Sequence, residues 1–524
     1  MENLNTKSNV INIQDMVQDI VAKERKQYEN PDELTLNESG SSFSSTYILD
    51  ALKSNEDGDA LLLINLQRNK FCYDHSDNQW FRWTGNYWEK DRIEEVLASI
   101  ESIVQLYVRE AGLRGSAKIG EAAKGNKDIA SKIERIEKEL LTRIHNIQSL
   151  HRKKNILKLA VAGQHSLGIT GDEWDLDPYL LACKNGVIDL KTGGFRPGKP
   201  EDYIKTFAPA EWKGLEFPAP AWEKFILEIF DGEKELVEFM NRLLGYATSG
   251  LSVEHTLSIL YGEGRNGKGT LVEVLNCVLG DLQGPIQAEM LLSQARSRSS
   301  GGPSPDIMAL RGRRIAWASE TDEGRKMDIG KMKWLVGGDT LVGRNLYSKD
   351  EISFTPSHTI FLLTNHKPQI SAEEYAAWQR IHLIPFILSF VDEPQKKNAR
   401  KRDPFLKDRL LIESSGILAW LVRGFLSWQK DGLNPPNTVK KATQEYQEEE
   451  DIIGHFIKER CELDPDQKIQ ATPLYQSYKK WCEFGGHKPL TGTKFGMRMR
   501  NRFEKDYDGR VYYKGITLKQ DIII

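Results

Sequence analysis

The sequence has 524 residues, 39% of them hydrophobic and 28% charged, with a formal net charge of −3 at pH 7. This composition describes a soluble globular protein of roughly three to four domains, and no apolar run approaches the roughly 18 residues that a membrane-spanning helix needs. The near-neutral charge gives no overall sign of nucleic-acid binding, so any such function must depend on local basic surfaces.

The five cysteines are odd in number and scattered, without a C-x-x-C pair or a zinc-binding spacing. We therefore expect buried thiols in a reducing cytosol, with neither disulfides nor a zinc site. The first residues lack the basic and apolar regions of a signal peptide. These features predict a cytoplasmic protein without membrane contact. The cysteines are Cys72, Cys183, Cys277, Cys461 and Cys482.

The N-terminal part predicts an arm followed by a helix-rich domain. Residues 1–55 are polar and predict a mobile arm, with one short helix near residues 13–24. Residues 56–215 predict an α-rich domain with a few aromatic strands and a helical stretch over 93–162. Its aromatic side chains can stack on nucleic-acid bases, although packing within a small β-meander is the favoured alternative. These side chains are Trp80, Phe81, Trp83, Tyr87 and Trp88.

The chain is organised around residues 258–278, where a short apolar strand leads into a glycine-rich loop, a lysine and an apolar-periodic helix. This order is typical of a phosphate-binding loop, whose backbone N–H groups and helix N-terminus attract phosphate. The spacing Gly262-x4-Gly267-Lys268 fits the Walker A pattern and predicts ATP binding; a simple strand-to-helix turn is the alternative. The predicted nucleotide-binding residues are Gly262, Gly264, Asn266, Gly267, Lys268, Gly269 and Thr270.

One position departs from that pattern. The residue after the lysine is usually a Ser or Thr that binds magnesium, but here it is Gly269, and the hydroxyl comes one residue later from Thr270. Thr270 can contact the α-phosphate or hold the metal through water. We therefore predict Mg²⁺ as a cofactor, with Thr270 as one candidate ligand.

Two further apolar strands end in polar side chains. Glu320 ends the first of these strands, where an acid can polarise the attacking water and help to hold magnesium, and Asp322 is a weaker second candidate. Asn365 follows the second strand, residues 359–364, where an amide can orient water toward the γ-phosphate. An Asn-initiated turn is the alternative for Asn365.

Basic residues flank a predicted hairpin and a further strand. Gly337 and Gly338 permit a sharp turn, and Lys349 is placed at the tip of a hairpin that follows. Arg380 precedes the strand 381–386. From that position an arginine can reach the nucleotide of a neighbouring subunit as an arginine finger, or it can simply be a surface residue that opens a strand.

The C-terminal part predicts a long helix, a boundary and a basic tail. The helix spans residues 409–428 and is followed by Asp431-Gly432 and Pro435-Pro436, which end the motor region. From Lys468 onward there are twelve Lys or Arg against five Asp or Glu. Helices followed by a β-hairpin over 508–518 predict a basic, winged-helix-like domain over residues 440–524.

Together these motifs resemble a superfamily III helicase, of the branch that contains phage and plasmid primase-helicases and the poxvirus helicase-primase. The resemblance is dense over residues 219–435 and weaker on both sides, near 80–88, 185–190 and beyond 472. The ordered set is Gly-x-Gly-x-Asn-Gly-Lys-Gly-Thr, Ala-Ser-Glu-Thr, Lys-x-Leu-x-Gly-Gly-Asp, Thr-Asn-His-x-Pro and Arg-Ile-x-x-Ile-Pro-Phe.

The resemblance implies an α/β fold: an AAA+ P-loop ATPase core over residues 216–435, preceded by the α-rich domain and followed by the winged-helix domain. It implies a ring, expected to be a hexamer, that translocates 3′ to 5′ on single-stranded DNA at a replication fork. Lys268 would bind phosphates, Glu320 would activate water, Asn365 would sense the γ-phosphate and Arg380 would act in trans.

The resemblance also implies a DNA-gripping hairpin in the pore of the ring. Lys333, Arg344 and Lys349 fall in the matching segment, and Lys349 is the first candidate because the family has a basic residue at the tip. Ordinary solvated charge is the alternative for all three residues.

Primer synthesis is not expected of this chain, because the polar residues before the helical domain are too few for a primase fold. A separate primase or polymerase is therefore the expected partner. We expect a replicative helicase of a phage or mobile element in a bacterial host. An AAA+ origin initiator or loader is one alternative, and a packaging or defence ATPase acting on duplex DNA is another.

Overall fold

The structure is a computed structural model that describes residues 43–294, 302–320, 322–346 and 350–519. The chain divides into two compact units, and each unit is built from two separate stretches of sequence. The first unit comprises Met1–Leu176 and Pro197–Lys205, and the second comprises Asp177–Arg196 and Thr206–Ile524. The class is mixed α/β with a helix-rich N-terminal region, as predicted. The boundary lies before residue 215, because residues 177–196 form strands that belong to the second unit.

The first unit is mainly helical. Its helices are α1 (Ser45–Lys53), α2 (Asn55–Gln67), α3 (Glu95–Ser99), α4 (Glu101–Ala123), α5 (Lys127–Ile147) and α6 (Leu150–Ala160). Helix α1 lies within the segment predicted as an arm. The Ser44 hydroxyl caps α1 by accepting from the Tyr47 N–H, and Ile48 and Leu52 are buried in the helical core. The predicted helix near residues 13–24 lies outside the described residues.

A buried carboxylate joins four of these helices. Asp59 on α2 is fully buried and forms ion pairs with Arg143 of α5 at 2.9 Å and Arg152 of α6 at 2.6 Å. It also accepts a hydrogen bond from the Tyr107 hydroxyl of α4 at 2.7 Å. A buried charge is tolerated only when it is paired and hydrogen-bonded in this way.

The aromatic side chains of the first unit pack a small sheet. Strands β1 (Phe71–Asp74), β2 (Gln79–Trp83), β3 (Trp88–Lys90) and β4 (Gly168–Ile169) form a sheet of order β3-β2-β1-β4. Phe81 and Trp88 are buried around Trp174, with ring centroids 4.8 Å and 6.4 Å from it. The meander alternative therefore accounts for these two rings, because buried rings cannot stack on bases.

The centre of the second unit is a parallel five-stranded sheet of order β10-β11-β14-β9-β15. The five strands are β9 (Leu257–Tyr261), β10 (Gln283–Ile286), β11 (Ile315–Glu320), β14 (Thr359–Thr364) and β15 (Ile381–Pro385). All six residues of β14 are buried. A continuous apolar run of this kind suits a central parallel strand that is covered on both faces.

Smaller strand pairs surround this sheet. Strands β5 (Leu180–Cys183), β6 (Gly186–Asp189), β7 (Gly194–Arg196) and β8 (Phe207–Ala208) form a sheet of order β7-β6-β5-β8. Strands β12 (Leu341–Gly343) and β13 (Ile352–Phe354) pair antiparallel, and β16 (Ser389–Val391) pairs parallel with β17 (Ala399–Lys401).

Helices cover the sheet and build the largest core. They are α7 (Pro220–Ile229), α8 (Lys234–Ala247), α9 (Lys268–Leu279), α10 (Pro305–Met308), α11 (Ile329–Val336), α12 (Tyr375–Trp378), α13 (Leu406–Ile412), α14 (Ser414–Asp431) and α15 (Asn437–Glu449), with short 3₁₀ turns at Pro200–Asp202, Gly280–Leu282 and Ala288–Met290. Trp222, Phe239 and Phe425 are among the large side chains that are fully buried there.

The predicted long helix over 409–428 is broken in two. Helices α13 and α14 meet at Glu413 with a bend of 74°. The Glu413 carboxylate accepts from the N–H groups of Ala221 at 3.1 Å and Trp222 at 3.0 Å, and so caps α7. Over the described residues no single helix is long and apolar enough to cross a membrane, and α13 with α14 meets that test only as a bent pair and only by length and composition.

The C-terminal part of the second unit has its own core around Phe456, Tyr478 and Phe495. It comprises α16 (Ile452–Arg460), β18 (Cys461–Glu462), β19 (Lys468–Gln470), α17 (Ala471–Phe484), α18 (Gly492–Arg500), β20 (Lys505–Tyr507), β21 (Val511–Lys514) and β22 (Thr517–Leu518). Strands β20 and β21 form a hairpin over residues 505–514, a few residues before the predicted 508–518. The cysteines are all free thiols, and four are buried, but Cys277 is exposed, contrary to the expectation, because it lies on the outer face of α9.

Candidate nucleotide-binding site

The glycine-rich loop connects β9 to α9 and needs its glycines at two positions. Gly267, the residue before α9, has φ +92°, and a Cβ there would lie 2.6 Å from the Ile229 side chain. At Gly262 a Cβ would lie 2.3 Å from the carbonyl oxygen of Phe386. The loop therefore passes too close to neighbouring chain at these points to carry side chains, as a phosphate-binding loop requires.

Lys268 begins α9 and is only 7% exposed. Its Nζ donates to the carbonyl of Gly262 at 2.5 Å and to Oδ1 of Asn365 at 3.3 Å. Both partners are uncharged, and desolvation by burial lowers the pKa of Lys268 to about 8. A phosphate beside this ammonium would supply the negative charge that favours its protonated form.

Asn266 offers a second group suited to an anion. Its side chain is 3% exposed, and its Oδ1 accepts from the Lys268 N–H at 3.4 Å. Its Nδ2 is buried without a hydrogen-bond partner within the described part of the chain. An orphaned N–H donor in the loop that precedes Lys268 is suited to a phosphate oxygen.

Strand register brings three of the four predicted catalytic residues, Lys268, Glu320 and Asn365, to one edge of the sheet. Glu320 pairs with Thr364, and Thr364 pairs with Tyr261, so the carboxyl ends of β11, β14 and β9 lie side by side. Asn365 follows Thr364 directly and contacts Lys268. In open parallel sheets ligands bind at this carboxyl edge.

A cavity of about 920 Å³ opens beside the loop, at the upper end of the range for small-molecule sites. Arg265, Gly267 and Thr270 line it on the loop side. It is also lined by charged residues that the sequence reasoning did not single out: the basic Lys224, Lys401, Arg402, Lys407 and Arg409 and the acidic Glu228, Glu273, Asp392 and Asp403. Two of these residues, Lys401 and Arg402, lie in a basic run that is visible in the sequence, five Lys or Arg in residues 396–402, KKNARKR. The Phe390 N–H donates to the Arg265 carbonyl at 2.7 Å, which ties this wall to the loop.

The donor set fits a magnesium ion that arrives with a nucleotide. Mg²⁺ usually keeps several waters and takes one or two protein oxygens plus substrate phosphates. The Thr270 hydroxyl belongs to the lining of the cavity, whereas Asp322 is 73% exposed and pairs with Arg325 at 3.6 Å. Among the described residues no group of three or more acidic, His or Cys side chains could hold a metal alone.

Arg380 lies at the opposite edge of the sheet from the loop. It precedes β15, and its carbonyl accepts from the N–H of Leu257, the first residue of β9. The length of β9 separates Arg380 from the loop by about 13 Å at roughly 3.3 Å per residue. Its guanidinium donates to the Ala376 carbonyl at 2.7 Å. Arg380 is therefore not brought together with Lys268 and Asn365 within one chain.

The three residues predicted to bind DNA occupy different positions. Lys333 lies on α11, before the β12–β13 hairpin, and pairs with Glu374 at 3.6 Å. Arg344 follows β12, and its N–H donates to the Ser304 hydroxyl at 3.0 Å. Lys349 falls between the two hairpin strands in sequence and lies outside the described residues.

Two protein families match the chain. The family described as D5 N terminal like matches residues 60–231, and the family described as Poxvirus D5 protein-like matches residues 448–517. The matched segments lie on either side of the loop and its sheet.

Curated relatives come from large DNA viruses. A candidate helicase of Acanthamoeba polyphaga mimivirus, L207/L206, is 30% identical over 321 residues, which are 59% of this chain and 33% of that protein. A candidate helicase of Invertebrate iridescent virus 3, 121R, is 27% identical over 396 residues, 69% of this chain and 41% of that protein. The chain thus spans less than half the length of these relatives.

A search of solved structures finds the apo structure of the NrS-1 C-terminal region at 12% identity and a TM-score of 0.35, covering 64% of this chain and 92% of that one. Such a TM-score carries no inference about the fold. The two family matches and the viral relatives support the resemblance that the ordered motifs predict, to the superfamily III helicase branch of phage and plasmid primase-helicases and poxvirus helicase-primase-like proteins.

Proposed function

We propose that this protein is an ATP-dependent replicative DNA helicase of a virus, phage or other mobile element. The observation that carries the proposal is the Lys268–Asn365 contact of 3.3 Å at the carboxyl edge of the parallel sheet, beside the strand end that carries Glu320. In the proposal Lys268 would bind the phosphates and Asn365, in contact with it, would sense the γ-phosphate.

In the proposed reaction Lys268 and the Asn266 amide bind the phosphates, and Asn365 orients water toward the γ-phosphate. Glu320 activates that water. Magnesium, held with the phosphates and the Thr270 hydroxyl, would offset negative charge on the phosphate oxygens. The cavity is lined by six Lys or Arg against four Asp or Glu, and this positive balance would attract the anionic nucleotide.

The position of Arg380 supports assembly into a ring. It lies at the far edge of the sheet and cannot reach Lys268 of its own chain, yet an arginine at the nucleotide speeds phosphoryl transfer greatly. We therefore propose a homo-oligomer, a hexamer, in which Arg380 serves the site of the next subunit.

The proposed substrate is single-stranded DNA at a replication fork. The β12–β13 hairpin, with Arg344 and Lys349, would grip the strand in the pore, and translocation would run 3′ to 5′. The proposed AAA+ core, together with a winged-helix domain in the C-terminal part, would work with a separate primase or polymerase.

The test is ATP hydrolysis with and without single-stranded DNA, for wild type, Lys268→Ala and the control Lys430→Ala, which changes an exposed lysine on α14. We expect stimulation by single strands, its loss in Lys268→Ala only, and displacement of a duplex bearing a 3′ tail. Hydrolysis indifferent to DNA would refute the helicase proposal in favour of an initiator or loader. Stimulation by duplex alone would favour a packaging or defence ATPase.

A further inference from the structure

One segment, residues 366–379, joins two of the proposed catalytic residues. It starts after Asn365 at the carboxyl end of β14 and ends before Arg380 at the amino end of β15. We call it the connecting segment. The pairing of β15 with β9 fixes the Arg380 backbone, and the connecting segment holds its side chain, because the Arg380 guanidinium donates to the Ala376 carbonyl at 2.7 Å.

Helix α15 and the residue that follows it hold most of this segment. Lys367 pairs with Glu449 at 2.6 Å, and the Ile370 N–H donates to the Glu450 carboxylate at 3.1 Å. Tyr446 is fully buried, donates its hydroxyl to the Pro368 carbonyl, and packs edge-on against Trp378 at 4.9 Å. Both ends of the segment are thus attached to one helix.

The C-terminal part adds a charged contact in the middle. Glu373 pairs with Arg498 at 3.3 Å and with Arg502 at 3.2 Å. Arg498 also donates to the Ser371 hydroxyl at 2.7 Å, and Arg502 donates to both carboxylate oxygens of Asp451 at 2.6 and 2.9 Å. The four charged side chains are 21–26% exposed. Partly buried, forked arginine contacts are stronger and more directional than surface ion pairs.

We propose that Arg498 and Arg502 are positioning residues for ATP hydrolysis: through Glu373 they fix the connecting segment, and so Arg380, for action at the neighbouring subunit. This inference rests on the proposed function. It assigns the C-terminal domain a role in catalysis in addition to any contact with DNA. A displacement of about 1 Å in a positioned catalytic group can lower the rate roughly a hundredfold.

The first test measures kcat and KM for ATP in Glu373→Gln and in the double variant Arg498→Ala/Arg502→Ala. The control is Arg500→Ala, an exposed arginine between the two. We expect kcat to fall roughly ten- to hundredfold at unchanged KM and unchanged oligomeric state, with partial recovery in Arg498→Lys/Arg502→Lys. A kcat equal to that of wild type would overturn the proposal.

The second test mixes subunits. Glu373→Gln subunits keep an intact nucleotide site, and Lys268→Ala subunits keep an intact Glu373 and Arg380, so mixed rings should hydrolyse ATP faster than the sum of the separate proteins. A mixture of Arg380→Ala with Lys268→Ala serves as the reference. If the reference mixture fails to recover activity, the proposed action of Arg380 in trans fails. If only the reference recovers, the role of Glu373 is refuted.

Discussion

Nucleotide binding should be coupled to the uptake of a proton by Lys268. Burial lowers the pKa of this ammonium to about 8 in the free protein, because its partners are a neutral carbonyl and a neutral amide. Phosphate oxygens beside Nζ would restore the pKa to its ordinary value of about 10.5 or above. Lys268 is then partly deprotonated in the free protein at a pH where it is fully protonated in the complex.

The magnitude follows from that difference. With a free pKa of about 8, Lys268 is neutral in about a tenth of the molecules at pH 7, half at pH 8 and nine-tenths at pH 9. Binding should therefore take up about 0.1, 0.5 and 0.9 protons at these values, and affinity should be about tenfold weaker at pH 9 than at pH 7. The difference between the two pKa values of Lys268 corresponds to about 3 kcal/mol of coupling between proton binding and nucleotide binding.

The assay is isothermal titration calorimetry with ADP in pairs of buffers that have the same pH and different ionisation enthalpies. The slope of the observed enthalpy against buffer enthalpy gives the number of protons taken up. Lys268→Arg is the control, because a guanidinium stays protonated throughout this range. Wild-type binding at pH 9 without proton uptake, or equal uptake in Lys268→Arg, would refute the reasoning.

Three further predictions follow from the geometry. Gly267→Ala should weaken nucleotide binding and lower the free energy of unfolding by roughly 1–3 kcal/mol, because the φ of +92° and the Ile229 contact exclude a Cβ. A Cβ at residue 269 meets open space, so Gly269→Ala should leave the free energy of unfolding unchanged or raise it. Equal losses for the two variants in denaturant unfolding would contradict this. Burial lowers the pKa of His358 to about 4, so this side chain is neutral in the folded protein and gains a proton on unfolding. It should therefore lower the free energy of unfolding by about 2 kcal/mol between pH 7 and pH 5. His358→Gln should lack this loss when denaturation midpoints are compared at the two pH values. Trp174→Phe should destabilise the first unit by about 1–3 kcal/mol, because it removes the indole N–H that donates to Oδ2 of buried Asp74 at 2.7 Å. Trp83→Phe should lower the free energy of unfolding by less. Equal effects of the two substitutions, measured by tryptophan fluorescence during unfolding, would contradict the reasoning.

Local patterns predicted the elements that carry the candidate site. Strand β14 spans the predicted residues 359–364, and the glycine loop lies between the predicted strand and helix. Such elements can be predicted from local sequence because buried parallel strands are continuous apolar runs and because glycines mark backbone conformations that exclude a side chain.

Contacts between distant parts of the sequence were not predictable. The break at Glu413 depends on α7, whose N–H groups Glu413 caps across a long stretch of chain. The charged lining of the cavity was not predictable in the same way, because a run of lysines and arginines in a sequence usually indicates only a solvated face. Its placement against Arg265 and Thr270 depends on the β16–β17 pair, which periodicity does not reveal.

The interleaving of the two units has a practical consequence. Strands β5–β7 lie within residues 177–196, yet they belong to the second unit, where Arg314 donates to the carbonyls of Leu180 and Thr248. A fragment that began at residue 216, the predicted start of the ATPase core, would lack these strands and expose the buried Arg314 guanidinium without one of its acceptors. Expression of the second unit on its own therefore calls for a start at or before residue 177, with residues 197–205 shortened or replaced by a flexible linker.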